Sequence, residues 1–174
     1  MTPVLILPGI GGSGPAHWQT RWEALEPTYR RVEMADWDRP ALDAWVATLN
    51  AAVKAAPEAP VIVAHSLGCL ALAHWAARGG QARAALLVAV PDPAGPLWPE
   101  EAASFAAVPT APLGFPTRVV ASQNDPYGGF AFAERMAKAW GSAFTDVGAA
   151  GHINADSALG DWDFGRKLLA GLLG

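Results

Sequence analysis

Short runs of apolar residues alternate along the chain with longer segments in which apolar residues recur at helical spacing. Most of the short runs are nearly continuous and rich in Val, Ile and Leu, as in strands buried on both faces of a parallel sheet. The run Tyr29–Met34 is more polar than the others, so we expect it at an edge of the sheet. The predicted strands are Val4–Leu7, Tyr29–Met34, Val61–Ala64, Ala84–Val90, Thr117–Ala121 and Ala143–Val147.

The longer segments predict five helices, because their apolar side chains fall on one face of a helix. The first helix is expected to bury Trp18, Trp22 and Leu25. The last is expected to bury Trp162 and Phe164 together with three leucines. The predicted helices are Trp18–Leu25, Asp43–Ala56, Leu67–Arg78, Phe130–Trp140 and Asp161–Leu173.

The regular alternation of strands and helices predicts right-handed βαβ units, in which helices cover both faces of one parallel sheet. With 174 residues, the chain has the length of one domain, and we expect a single domain over residues 1–174. The exception is the proline-rich segment 91–116, with at most one short helix near Pro99–Ala106. We expect either a rigid surface connection or a small lid whose Trp98 and Phe105 help to line a pocket.

The charge and cysteine content of the chain narrow the class of function. A net charge of −4 leaves no basic excess, which argues against a nucleic-acid or membrane-surface partner. The only cysteine, Cys69, excludes an intramolecular disulfide and a cysteine-rich metal site, and we expect neither a metal nor another cofactor. Because the N-terminus has no signal-peptide pattern and no apolar stretch approaches a membrane span, we expect a cytoplasmic protein.

The segment Ala64-His65-Ser66-Leu67-Gly68 has the pattern of a nucleophile elbow, a tight turn between a strand and a helix. Such a turn lifts the serine hydroxyl clear of the sheet, at the positive end of the following helix. Small residues are needed two positions before and after the serine. Gly68 meets this need, and Ala64 replaces the usual first glycine with a single methyl group. The alternative for Ser66 is a helix N-cap, a position that serine also favours.

A nucleophilic serine needs a histidine base, which in this architecture follows the serine in the chain. His17 and His65 precede Ser66, and His74 lies in the helix after it, where it cannot reach back over the turn. His152 follows the last predicted strand in a glycine-flanked loop. We therefore predict His152 as the general base, against a capping or packing role.

The base needs an acid between the serine and the histidine in the chain. Asp125 follows the predicted strand Thr117–Ala121, so its carboxylate is expected at the same sheet edge as His152. Asp92, which follows the preceding strand, is the rival, and a plain turn aspartate is the alternative role for Asp125.

Acyl transfer also needs two N–H donors for the developing oxyanion. We predict that Leu67 supplies one and Ile10 the other, with Gly11 as the second choice for the latter. Ile10 lies in the glycine-rich loop Gly9–Gly14, where the backbone can approach a ligand closely. That loop also matches a dinucleotide-binding pattern, but Pro15 follows it and the expected acidic residue has a poor counterpart.

Several motifs together resemble the small serine hydrolases typified by retinoblastoma-binding protein 9 and the bacterial YdeN group. The resemblance implies a three-layer α/β-hydrolase fold of about six parallel strands with a minimal cap, in the spatial order 2-1-3-4-5-6. It also implies the triad roles already assigned to Ser66, Asp125 and His152. The motifs are Leu7-Pro8-Gly9, Gly12-Ser13, His17-Trp18-Gln19, Trp22-Glu23, Trp37 with Pro40, the Ser66 turn, Asn124-Asp125-Pro126-Tyr127, Gly151-His152-Ile153-Asn154 and Gly160-Asp161-Trp162.

These residues predict a cofactor-free serine hydrolase that cleaves a small carboxylic ester, and less readily an amide, through an acyl-enzyme. This places it among the carboxylesterases of EC 3.1.1. Trp37, Trp98 and His17 are candidates for the substrate pocket, because they follow predicted strands or lie in the proline-rich segment. The alternative is a protein-interaction module on a hydrolase scaffold with little or no turnover. No particular protein partner is indicated.

Overall fold

The computed structural model describes residues 2–174 and contains one sheet of six parallel strands. The strand order is 2-1-3-4-5-6, as predicted. Every adjacent pair of strands is parallel, and the shortest strand forms one edge. The strands are β1 (Val4–Leu7), β2 (Arg30–Arg31), β3 (Val61–His65), β4 (Ala84–Val88), β5 (Thr117–Ala121) and β6 (Ala143–Asp146).

Helices cover both faces of the sheet and give the molecule its three layers. The second, third and fourth helices enclose a core with one face, and the first and fifth enclose a core with the other. Because parallel strands are buried on both faces, β1, β3 and β4 consist of buried residues throughout. The helices are α1 (Trp18–Leu25), α2 (Leu42–Ala55), α3 (Leu67–Ala77), α4 (Phe130–Trp140) and α5 (Asp163–Leu173).

Two side chains predicted to be buried in helices are exposed instead. Leu25 is 45% exposed at the last residue of α1, although Trp22 in the same turn is buried. Phe164 is 49% exposed, because α5 begins only at Asp163 and Trp162 precedes it in a left-handed conformation. The predicted phase of that helix was therefore wrong at its first turn, whereas Leu169 is buried as expected.

The proline-rich segment contains one short 3-10 helix, Glu100–Phe105. Phe105, which was expected to line a pocket only if the segment formed a lid, does not line the cavity described below. It is fully buried in the core, edge-on to Trp45 of α2. The Ser104 hydroxyl also accepts a hydrogen bond from the Leu42 N–H at 3.2 Å. These contacts attach the middle of the segment to α2.

Gly68 lies where α3 crosses the end of β1. A Cβ atom at this position would lie 2.4 Å from the Leu7 carbonyl oxygen and 2.8 Å from that of Pro8. Gly171 in α5 is the matched control, because a Cβ there would meet nothing within 4 Å.

We expect Gly68→Ala to lower the free energy of unfolding by about 2 kcal/mol, since the backbone it meets must move. Gly171→Ala is expected to raise that free energy by about 0.5–1 kcal/mol, because alanine is the better helix former. Urea denaturation of the two variants checks this. Equal stabilisation by both would show that α3 has room at Gly68.

Candidate active site

Ser66 occupies the turn between β3 and α3 in a backbone conformation that is rare for a non-glycine residue, with φ 53° and ψ −124°. Its N–H donates to the Val88 carbonyl at 2.9 Å, which fixes the turn to β4. The loop after β1 packs directly against it, since a Cβ on Gly9 would lie 2.9 Å from the Ser66 Cβ. Strain of this kind persists only where the surroundings enforce it, and it is common at functional sites.

His152 and Asp125 approach Ser66 from loops after β6 and β5. The His152 Nε2 lies 2.9 Å from the Ser66 Oγ. The His152 Nδ1 lies 2.8 Å and 3.0 Å from the two carboxylate oxygens of Asp125. Only 2% of the Asp125 side chain and 9% of the His152 side chain are exposed. The three side chains thus form one hydrogen-bonded line at the carboxyl edge of the sheet.

The Asp125 carboxylate is held by its own turn as well. Its Oδ1 accepts hydrogen bonds from the N–H groups of Tyr127 at 2.9 Å and Gly128 at 3.3 Å. The rival acid, Asp92, uses its Oδ1 to accept from the Ala94 N–H at 2.9 Å. Of the two candidates, Asp125 is therefore the one that contacts the imidazole.

Two backbone N–H groups beside Ser66 begin helical turns. Leu67 is the first residue of α3, and Ile10 is the first residue of a 3-10 turn, Ile10–Gly12. The first N–H of a helix has no partner within that helix. Gly11 was the other candidate in this loop, but its N–H donates to the Trp37 carbonyl at 3.1 Å. Ile10 is thus the better-placed donor of the two.

A cavity of about 500 Å³ opens over Ser66 and His152. Trp98 and His17, both predicted to contact substrate, line it. Trp37 does not, contrary to the prediction, because it packs behind Gly12 and against Trp45. The lining residues are Ile10, Gly11, Ser13, Gly14, His17, His65, Ser66, Leu67, Pro91, Leu97, Trp98, Pro99, Tyr127, His152, Asn154 and Ala155.

A protein family described as serine hydrolase matches residues 4–171, nearly the whole chain. The chain belongs to the serine hydrolase family. A YdeN-like hydrolase from Pectobacterium atrosepticum is 33% identical in sequence. Its structure matches with a TM-score of 0.88, over 98% of this chain and 90% of that one. Membership of this family identifies the chain as a hydrolase with an α/β-hydrolase fold.

More distant solved structures share the fold of this serine hydrolase. The ydeN gene product from B. subtilis is 21% identical, with a TM-score of 0.82 over 99% of both chains. An esterase from Thermogutta terrifontis is 16% identical, with a TM-score of 0.71 over 99% of this chain and 90% of that one. No curated protein matches the sequence.

Within residues 2–174, no group of three or more His, Cys, Asp and Glu side chains could hold a metal ion. No helix in the same part of the chain is both long and apolar enough to cross a bilayer.

Two further histidines pack beside His152 in this serine hydrolase. The ring of His65 meets that of His152 at a centroid distance of 5.0 Å, and the ring of His17 meets that of His65 at 4.6 Å. Burial, followed by the nearby His17 and His152, lowers the pKa of His65 well below its usual value. Burial, followed by His152 and Arg31, lowers the pKa of His17 to about 4. Both rings are therefore neutral at neutral pH.

Because burial keeps the His17 ring neutral in the folded chain, the free energy of unfolding depends on pH. The unfolded chain binds a proton at His17 near pH 6.5, whereas the folded chain does so only near pH 4. This contribution to stability is complete above pH 6.5 and declines by about 1.4 kcal/mol per pH unit as the pH falls towards 4.

Between pH 7 and pH 5, the free energy of unfolding of the wild-type protein is expected to fall by about 2 kcal/mol more than that of His17→Asn. The asparagine oxygen can replace the His17 Nδ1, which accepts from the Gln19 N–H at the start of α1. Urea denaturation of both proteins at the two pH values checks this. An unchanged difference between pH 7 and pH 5 would show that His17 does not titrate in this way.

Arg31 is a residue whose place the sequence did not reveal. Two adjacent arginines such as Arg30-Arg31 are typical of a solvated strand end, but only Arg30 of the pair is exposed. The Arg31 guanidinium forms an ion pair with Glu23 and donates to the Thr20 hydroxyl at 2.6 Å. It also donates to the carbonyl oxygens of Gly12 and Ser13, in the loop that carries Ile10.

Proposed function

We propose that this serine hydrolase cleaves carboxylic esters through an acyl-enzyme formed on Ser66. The observation that carries the proposal is the hydrogen-bonded line from Ser66 through His152 to Asp125. In that arrangement the His152 Nε2 takes the hydroxyl proton as the Ser66 Oγ attacks the substrate carbonyl carbon. Asp125 holds the imidazole in the tautomer with its proton on Nδ1 and stabilises the imidazolium that forms.

The negative charge of the tetrahedral intermediate is stabilised by the N–H groups of Leu67 and Ile10. The N-terminus of α3 adds the positive end of its dipole at the same point. His152 then returns the proton to the leaving oxygen, and the carbon–oxygen bond breaks. Water repeats the sequence on the acyl-enzyme, with His152 again as the base, and releases the carboxylic acid.

An ester is favoured over an amide by two observations. The cavity opens as one pocket over Ser66, and β3, which ends just before Ser66, is paired with β1 and β4 and so has no free edge to align a peptide. Several distant structural neighbours are esterases or lipases, among them a monoacylglycerol lipase from Paleococcus ferrophilus. Comparing turnover of p-nitrophenyl butyrate with that of aminoacyl anilides tests the preference, and turnover of the anilides alone would reverse it.

Ile10→Pro tests the oxyanion role of the Ile10 N–H with little change to the loop. Proline lacks the N–H but fits the first position of a helical turn. Gly9 precedes it in an extended conformation, which a following proline requires. We expect kcat to fall about 10²–10³-fold, the effect of losing one oxyanion donor.

Ile10→Val is the matched control, because it keeps the N–H and shortens only the side chain. We expect it to retain kcat within about threefold, since a large loss needs the donor. Steady-state kinetics of both variants on p-nitrophenyl butyrate separate the two effects. Equal kcat values for the proline and valine variants would remove Ile10 from the oxyanion site.

A further inference from the structure

The cavity over Ser66 is lined without any Asp, Glu, Lys or Arg side chain, as far as residues 2–174 show. Its only titratable lining groups are Tyr127 and three histidines. Asp125 is not exposed to the cavity, because its carboxylate lies behind His152. A substrate charge placed here would lose its water without gaining a partner of opposite sign.

The two histidines beyond His152 do not supply a charge either. His17 and His65 are both buried, and burial is the largest cause of the lowered pKa of each. At neutral pH they present uncharged rings to the cavity. Apart from Ser66 and the titratable groups, the lining residues with polar side-chain atoms are Ser13, Asn154 and Trp98, and all three are uncharged, which suits an uncharged substrate.

The mouth of the cavity is apolar. Ile10, Leu97 and Tyr127 line it, and they are three of the five large hydrophobic side chains that stay exposed in the part of the chain described. Leu97 is 50% exposed and stands next to Trp98 in the proline-rich segment. Side chains of this kind gain free energy when an apolar group covers them.

We propose that the substrate of this site is an ester without charge on either side of the scissile bond, with an apolar group lying against Leu97 and Trp98. This rests on the proposed ester hydrolysis and specifies its substrate class. The wall that selects the substrate then comes from the proline-rich segment, whose 3-10 helix is attached to the core through Phe105.

Matched substrates test the proposal on the wild-type protein. The acyl side is varied with p-nitrophenyl hexanoate, the half-ester p-nitrophenyl adipate and p-nitrophenyl 6-aminohexanoate. The leaving side is varied with p-nitrophenyl butyrate and 3-nitro-4-butyryloxybenzoate. We expect kcat/KM to be about 10- to 100-fold higher for each uncharged ester than for its charged counterparts. Equal values, or a preference for any charged ester, would overturn the proposal.

A charge placed at Leu97 identifies the side of the substrate that contacts it. In Leu97→Lys, we expect kcat/KM for one anionic ester, the adipate or the benzoate, to rise about three- to fivefold relative to that for its uncharged counterpart. Leu25→Lys is the control, because Leu25 is 45% exposed at the end of α1 and does not line the cavity. No change in Leu97→Lys, or an equal rise in Leu25→Lys, would show that Leu97 does not contact the substrate.

Labelling with an uncharged fluorophosphonate separates this proposal from the ester hydrolysis on which it rests. A protein that is folded but neither labelled nor active on any ester would contradict the hydrolysis itself. A protein that is labelled and prefers a charged ester would contradict only the substrate class.

The hydrogen bonds of Arg31 support a second inference, carried by a different set of contacts. One guanidinium joins β2 to the side chains of Glu23 and Thr20 in α1 and to two carbonyl oxygens of the loop after β1. The Thr20 hydroxyl also donates to the Ser13 carbonyl at 2.6 Å. We infer that Arg31 is a positioning residue that holds this loop, and with it the Ile10 N–H, against Ser66, an inference that rests on the proposed oxyanion role of Ile10.

Arg31→Met and Arg31→Lys test the positioning role, with Arg30→Met as the control. Arg30 is the exposed neighbour, and its hydrogen bonds are to the nearby carbonyls of Pro27 and Tyr29. We expect Arg31→Met to lower kcat about 10- to 100-fold with KM within about twofold, because a displaced donor costs transition-state stabilisation rather than binding. Arg30→Met is expected to retain kcat.

Circular dichroism shows which of these variants are folded. If Arg31→Met is unfolded, the kcat of Arg31→Lys tests the inference instead. Lysine keeps the positive charge beside Glu23 but lacks the planar guanidinium, whose N–H groups reach two carbonyls and Thr20 at once. Partial recovery of kcat when millimolar guanidinium is added to Arg31→Met would support the inference. A wild-type kcat in whichever Arg31 variant is folded would overturn it.

Discussion

Ser66→Ala is expected to lower kcat for p-nitrophenyl butyrate by about 10⁶-fold, while the protein stays folded. The alanine removes the Oγ that lies 2.9 Å from the His152 Nε2, so no acyl-enzyme can form. The N–H groups of Leu67 and Ile10 and the cavity remain. Slow hydrolysis by direct attack of water, still faster than the uncatalysed reaction, should therefore persist.

The matched control for this variant is Ser104→Ala. Ser104 lies in the 3-10 helix of the proline-rich segment, and its hydroxyl accepts from the Leu42 N–H, away from the cavity. We expect it to retain kcat within about twofold, since surface changes of this kind have small effects. A kcat for Ser66→Ala within tenfold of the wild-type value would mean that another group performs the attack.

Asp125→Asn is expected to lower kcat by about 10⁴-fold with the geometry of the site intact. The carboxylate accepts a hydrogen bond from the His152 Nδ1–H, whereas an amide can turn its NH₂ group towards that nitrogen. The imidazole then carries its proton on Nε2 and cannot take the proton of Ser66. The effect on KM should be small, because Asp125 does not line the cavity.

Asp92→Asn is the control for this substitution, since the sequence alone offered both aspartates as the acid. The carboxylates of Asp92 and Asp125 each cap a turn, accepting from the N–H groups of Ala94 and Tyr127 respectively. Only Asp125 also contacts His152, so we expect Asp92→Asn to keep kcat within about twofold. Measured kcat values in the reverse order would assign the acid to Asp92.

The fold was predictable because its signals are local. Strands buried on both faces appear as continuous apolar runs, and β1 and β5 have the predicted bounds. Element ends were less certain. The run Tyr29–Met34 gives only the two-residue strand β2, although the Val32 N–H still donates to the Ile6 carbonyl at 2.9 Å. Beyond Arg31 the chain keeps this hydrogen bond to β1 but no longer the regular hydrogen-bond ladder of a strand.

The meeting of Ser66, Asp125 and His152 was predictable for a topological reason. Each follows a parallel strand, and the carboxyl ends of parallel strands lie at one edge of the sheet. Their catalytic roles stay predictions that the variants above test. The competing choice of Gly11 over Ile10 could be decided only in three dimensions, since it depends on a hydrogen bond to the Trp37 carbonyl.

Arg31 shows what the sequence could not reveal. Its partners come from β2, α1 and the loop after β1, so no local pattern distinguishes it from Arg30. Trp37 and Phe105 illustrate the same limit for aromatic residues. Each is large enough either to line a pocket or to fill the core. Packing against Trp45 holds Phe105 in the core and Trp37, partly buried, against it.

Mass spectrometry of the protein after reaction with a fluorophosphonate, followed by mapping of the labelled peptide, tests Ser66 as the nucleophile most directly. We expect one adduct per chain, on the hydroxyl of Ser66, and none on folded Ser66→Ala. A folded wild-type protein that stays unlabelled would favour a binding module without turnover, and an adduct on any other residue would contradict Ser66 as the nucleophile.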